Sequence, residues 1–125
     1  MDVVGATPMY SPQVLDHFEH PRNVGELLEA TATVELENPV CGDVMKLAAR
    51  VEDGRVVAAR FLTRGCTSAI ACGSLLTVWM QGKTVEELKA ITAQIISDEL
   101  GGLPPATRHG AQLAADALRA LLQQF

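Results

Sequence analysis

Arg64-Gly65-Cys66-Thr67-Ser68-Ala69-Ile70-Ala71-Cys72-Gly73-Ser74 places a thiol just after a glycine, at the mouth of a segment that reads as a buried helix. Its continuation through Leu75, Leu76, Val78 and Trp79 is apolar almost all round, which a surface helix would not be. Thr67 and Ser68 are capping types, with hydroxyls able to accept a first-turn N–H. Cys66 is therefore expected at or just before a helix N-terminus, where free N–H groups and the helix dipole favour negative charge on sulfur. A second thiol lies upstream in Asn38-Pro39-Val40-Cys41-Gly42-Asp43, with a carboxylate two residues on. These two stretches are expected to meet in space around a metal or a cluster.

Upstream of the helix the pattern is that of strands. Ala32, Val34 and Leu36 alternate with Thr33, Glu35 and Glu37, the signature of a half-buried strand. Asn38-Pro39 ends it and leaves Cys41-Gly42-Asp43 in the following loop. Met45 to Glu52 and Arg55 to Leu62 are two more strand candidates, joined by Asp53-Gly54, a short hairpin signal. The second of them delivers the chain directly to Gly65-Cys66. Nearer the start, Ser11-Pro12 opens a short helix carrying Val14, Leu15 and Phe18 on its apolar face. Pro21 stops that helix near His20, and Arg22 to Gly25 is a turn.

Downstream, Gln81-Gly82-Lys83 breaks the helix and Thr84-Val85-Glu86-Glu87 restarts one with capping-box spacing. Ile91 to Leu100 reads as helical up to Gly101-Gly102. Leu103-Pro104-Pro105 reads as an extended connector, and Arg108 to Gln124 as a helix with Leu113, Ala117, Leu118 and Leu121 on one stripe. The fold class is α+β: a small three-stranded antiparallel sheet with helices packed on one face. Residues 1–125 are expected to form a single domain, with 1–9 a flexible tail.

At 125 residues, with 48% apolar and 20% charged residues, a packed core is expected rather than disorder. The net charge of −5 gives no general attraction to nucleic acid or anionic membrane. No apolar stretch reaches membrane-spanning length, and no basic segment followed by an apolar one opens the chain. Three cysteines cannot all pair within one chain, and read better as ligands or reactive thiols than as a disulfide framework. The expected compartment is cytoplasmic.

Residue by residue, the chemistry has ordinary competitors. In extended backbone, side chains at i and i+2 project to one side, so Cys41 and Asp43 can form a soft and hard ligand pair acceptable to zinc or iron. Taken alone, the triplet reads as readily as a buried thiol beside a turn former. Cys72 lies about 240° around a helix from Cys66 and reads as core. His17 and His20 flank Pro21 as solvated turn residues would, and His109, opening the last helix, is by itself no more than a candidate ligand.

Together these residues resemble the NifU/IscU-type iron–sulfur cluster scaffold family, from about Tyr10 to Leu122 and in the family's order. Asp16-His17-Phe18-Glu19-His20-Pro21-Arg22-Asn23-Val24-Gly25 is similar to its D-H-Y/F-x-x-P-R-N-x-G signature. Asn38 to Asp43 is similar to its N-P-x-C-G-D loop. Gly65-Cys66-Thr67-Ser68-Ala69-Ile70-Ala71 is similar to its G-C-x-S/I-x-x-A segment, and Leu103-Pro104-Pro105 with His109, Leu113 and Ala114 to its last block.

The resemblance implies that Cys41, Asp43, Cys66 and His109 converge at an exposed end of the fold. There they would hold a transient 2Fe-2S cluster, or Zn2+ when no cluster is present. It implies a scaffold rather than an enzyme, taking sulfur from a cysteine desulfurase and passing clusters to acceptor apo-proteins. An Hsp70-type chaperone would help at Leu103-Pro104-Pro105. The chain departs from the pattern twice. Gly110 stands where the family has a third cysteine, and Thr107 where its L-P-P-x-K loop has lysine. The missing thiol leaves open a zinc-bound persulfide acceptor, or a metal-free adaptor of the same fold, and Cys72 as a substitute only if the helix start unwinds.

Overall fold

The computed structural model describes residues 10–125; the expected tail at 1–9 lies outside them. Helix α1 spans Pro12–Glu19, followed by strands β1 (Ala32–Glu37), β2 (Val44–Glu52) and β3 (Arg55–Arg64). Helices α2 (Thr67–Met80), α3 (Val85–Leu88), α4 (Ala93–Glu99) and α5 (His109–Leu122) complete the chain. The three strands form one antiparallel sheet in the order β1-β2-β3. Asp53 and Gly54 turn the β2–β3 hairpin with positive φ at both positions (53° and 77°), as a two-residue primed turn requires.

Register explains the core. Val34, Leu47 and Phe61 lie opposite one another across the sheet, flanked by the rows Ala32–Ala49–Ala59 and Leu36–Met45–Thr63. With period-2 alternation, all of these side chains share one face. α2 packs on that face over β3, and α5 over β1 and β2. A bulge between Arg50 and Val51 shifts the register so that Val51 meets Val56. Leu76, Met80, Leu88, Ile96, Leu100, Leu118 and Leu121 fill the helical side of the core, each essentially inaccessible. Full burial of such a side chain contributes about 1.5–3 kcal/mol apiece. The helices thus cover one face of a three-stranded antiparallel sheet, the α+β arrangement expected from the alternation.

The segment Asp16 to Gly25 acts as a clip. Ser74 and Thr77 are polar yet fully buried on α2. Ser74 Oγ lies 2.7 Å from His17 Nδ1 and accepts the Arg22 backbone N–H at 2.9 Å. Asn23 Nδ2 donates to Thr77 Oγ1 at 3.3 Å. Asn23 and Gly25 then exchange backbone hydrogen bonds with Phe61, which closes the outer edge of β3. His17 is therefore a packed, hydrogen-bonded residue rather than a solvated turn residue, whereas His20 is exposed.

Several details differ from the sequence reading. Of the α1 face only Val14 is buried; Leu15 and Phe18 remain exposed. α4 starts after Thr92, whose side chain accepts the Ile95 N–H, so Ile91 lies outside it. The stretch after Leu103 is not extended throughout: Pro105–Thr107 forms a 3-10 turn. Finally, Cys66 lies at the helix start as expected, but it is itself the N-cap of α2 in place of Thr67 or Ser68, and it makes no side-chain cap bond. The Thr67 and Ser68 hydroxyls sit inside the first turn instead.

A candidate metal centre at the start of two helices

Three elements meet at one end of the molecule. The β1–β2 loop carries Cys41 and Asp43, with Gly42 between them at φ 79°. Asn38 holds that loop: its side-chain oxygen accepts the N–H of Val40 at 2.8 Å and of Cys41 at 3.4 Å, an Asx turn. Cys41 is exposed, and Val40 beside it is almost fully so. Asp43, by contrast, is nearly buried, its carboxylate lying against the α-carbon of Gly65.

Strand β3 delivers Cys66 to this carboxylate. The Cys66 backbone N–H donates to Asp43 Oδ2 at 3.3 Å, so the unsatisfied amide of a helix start is answered by an acid, as helix termini favour. His109 is the first residue of α5. Its Nε2 lies 3.6 Å from Asp43 Oδ2 and 3.2 Å from Cys66 Sγ. The ligand atoms of Cys41, Asp43 and His109 all lie within 4.8 Å of one another. Both thiols thus converge on the His109 imidazole, Cys41 from the exposed side and Cys66 from the half-buried side.

Two neighbours were not recognised as part of the site from the sequence. Ser68, fully buried, places Oγ 3.1 Å from Cys66 Sγ. Tyr10 stands near enough that the Cys66 charge, after burial, raises its phenol pKa, while the Thr107 hydroxyl works the other way. Ser68 is local, two residues from Cys66 in the first turn of α2, whereas Tyr10 is brought in from far upstream in sequence. Thr107 itself is buried and donates to the Pro104 carbonyl at 2.9 Å, so it closes the turn after Leu103. Cys72 does not join the site. It is fully buried, and burial together with the Cys66 charge pushes its thiol up to about 12. A groove lined by Leu88, Ile91, Leu118 and Leu122 contains none of these residues.

Sulfur, carboxylate and imidazole donors brought together from one loop and two helix starts are chemistry that borderline cations accept: zinc takes all three donor types in tetrahedral sites, and iron does so too. The donor set therefore fits a metal ion or a small metal–sulfur group. The fold and this pocket define a small α+β protein with a mixed-donor site at one end.

The chain belongs to the NifU-like N terminal domain family, whose profile matches residues 9–125. It is 44% identical over 117 residues to a protein of Archaeoglobus fulgidus named iron-sulfur cluster assembly scaffold protein IscU 1, covering 94% of this chain and 76% of that one. It is 45% identical over 120 residues to the Escherichia coli K12 iron-sulfur cluster assembly scaffold protein IscU, covering 93% of each. A NifU-like protein (N-terminal) from Brucella abortus shares the fold, with a TM-score of 0.74 at 20% identity over 91% of this chain and 92% of that one. Among the described residues no helix is long and apolar enough to cross a membrane.

Proposed function

We propose that this chain is an iron–sulfur cluster assembly scaffold, which holds a labile cluster or metal ion through Cys41, Asp43, Cys66 and His109 and passes it to acceptor proteins. The observation that carries the proposal is the convergence of two thiols and a nearly buried carboxylate on one imidazole. The names of relatives at about this level of identity support it. The cluster is cargo, not a reactant turned over by the protein, so the chain acts as carrier rather than enzyme.

The residues divide the work. Cys66 and Asp43 are tied to each other by the Cys66 backbone N–H on the Asp43 carboxylate and form the less exposed side of the site. Cys41, on an exposed loop, forms the side through which cargo enters and leaves. A carboxylate is a hard ligand that soft metal–sulfur groups hold weakly, which suits a group meant to be given away. A 2Fe-2S cluster tolerates one histidine in place of cysteine, and Zn2+ fits the same four donors. Sulfur would come from a cysteine desulfurase. Chaperone contact after α4 would rest on Pro104 and Pro105, because Leu103 is buried.

Anaerobic reconstitution with ferrous iron and sulfide tests this reading. A visible-absorbing cluster is expected in the wild-type chain and is lost in Cys41→Ala and Cys66→Ala. Wild-type protein that stays colourless and retains only zinc would overturn it.

A further inference from the structure

Position 110 carries no side chain, and the packing uses that absence. A β-carbon built on Gly110 would lie 2.6 Å from Ser68 Oγ, 2.8 Å from the Ala69 amide nitrogen and 2.8 Å from the Ser68 carbonyl carbon. Two of these atoms are α2 backbone, which cannot step aside as the tip of a flexible side chain would. The first turns of α5 and α2 therefore touch nearly backbone to backbone. His109 and Gly110 are consecutive on one side of that contact, and Cys66 and Ser68 stand on the other. The closeness at 110 thus sets the distance at which His109 Nε2 meets Cys66 Sγ, 3.2 Å.

The same contact positions Ser68. Its hydroxyl is fully buried, and among the described residues its hydrogen-bond partner is the Cys66 sulfur, 3.1 Å away. A thiolate has no proton to give, so when Cys66 is ionised or metal-bound the hydroxyl must be the donor.

We infer that Gly110 and Ser68 are a coupled pair of positioning residues: Gly110 lets α5 close on α2, and Ser68 donates to the Cys66 sulfur in the space a side chain at 110 would need. The site is thereby built for two thiolates, not three. A thiol returned to position 110 would part the helices instead of adding a ligand. The Ser68 half rests on the proposal that Cys66 is a ligand; the Gly110 half does not.

The test uses the full chain and cobalt(II) as probe, beside thermal melts of the chelated protein. Ala is a better helix former than Gly, so propensity alone would raise the melting temperature of Gly110→Ala. The contact demands that it fall. Cobalt affinity is expected to drop roughly tenfold to a hundredfold in Gly110→Ala, the usual range for disturbed support of a ligand, and not to rise in Gly110→Cys. Ser68→Ala should leave the melt close to wild type and move the sulfur-to-cobalt charge-transfer band to lower energy, since the sulfur loses a hydrogen bond. The double variant Gly110→Ala/Ser68→Ala should lose less stability than the sum of the singles, because one of the three close contacts is gone.

A higher melting temperature in Gly110→Ala, tighter cobalt binding with a third thiolate's absorption in Gly110→Cys, or an unmoved band in Ser68→Ala would each overturn the inference. Aggregation of the Gly110 variants beside a well-folded Ser68→Ala is itself the loss of packing that the contact demands, and the Ser68→Ala band then decides the Ser68 half. Wild-type chain that takes no cobalt refutes the proposed ligand set and the Ser68 half with it, while the apo melts still decide the Gly110 half.

Discussion

Replacing Gly73 by Ala would ordinarily stabilise a helix interior, and here it should do the opposite. Gly73 lies in the middle of α2, over β3. An added β-carbon would meet ring carbons of Phe61 at 2.5, 2.6 and 3.1 Å. Ordinary carbon–carbon contact is about 3.5–4.0 Å, so the ring or the helix must retreat by roughly an ångström. The ring has nowhere to go. Phe61 is only 2% exposed, and its backbone is paired on both sides, to Leu47 and to the Asn23–Gly25 segment.

Overpacking of this kind costs about 1–3 kcal/mol, against about 1 kcal/mol gained in helix propensity. The net expectation is a loss of up to about 2 kcal/mol, or up to about 8 °C in melting temperature for a chain of this size. Thermal and urea denaturation of the purified variant measure it. A Phe61→Leu change in the Gly73→Ala background should cost less than the same change in wild type, because it relieves the clash. A melting temperature at or above wild type, with additive double-variant energetics, would refute the claim that α2 is seated on Phe61 through Gly73.

Burial and the Arg22 guanidinium hold the His17 pKa below its ordinary value, with Asp16 opposing them. The unfolded chain therefore takes up the proton first, and His17 erodes stability as pH falls below its unfolded value of about 6.5; urea midpoints should drop between about pH 8 and about pH 5, and less so in His17→Gln. Cys41 and Cys66 should react quickly with a charged disulfide reagent in the native protein while Cys72 reacts only on unfolding, and Cys72→Ala should leave metal and cluster content unchanged; fast native labelling of all three thiols would contradict the buried placement. The Thr84 hydroxyl and Glu87 carboxylate close a capping box at the start of α3, so Thr84→Ala should cost about 1 kcal/mol in urea denaturation.

Much of this fold was legible because its signals are local. Alternation from Ala32 to Glu37 and the Asp53-Gly54 turn announce the meander, and the all-round apolar run after Cys66 announces a helix covered by other elements. The stripe of Leu113, Ala117, Leu118 and Leu121 does the same for α5. What escaped was tertiary in origin. Ser68 reads as a capping hydroxyl because its type fits an N-cap, yet the chain turns into helix two residues earlier and Cys66 takes that place. Leu15 and Phe18 have helical spacing with Val14, but α1 meets α2 through Val14 and the His17 hydrogen bond, leaving their side chains outside. His17 itself gives no sign in sequence that a buried serine from a segment 57 residues away awaits it. At the site, C-G-D and G-C-T-S point to ligands only as a set, and nothing in the sequence says that the missing side chain at Gly110 becomes a helix contact.

The donors at the pocket sit at residues 41, 43, 66 and 109, on a loop and on the openings of two different helices. None of these pieces holds its neighbours in place once the core between them loosens. Under the proposed ligand set, a load bound to the folded form would steady it, and whatever slackens α5 against α2 would part the donors. A carrier of the proposed kind would let go by relaxing, its metal–ligand bonds exchanged as the donors move apart.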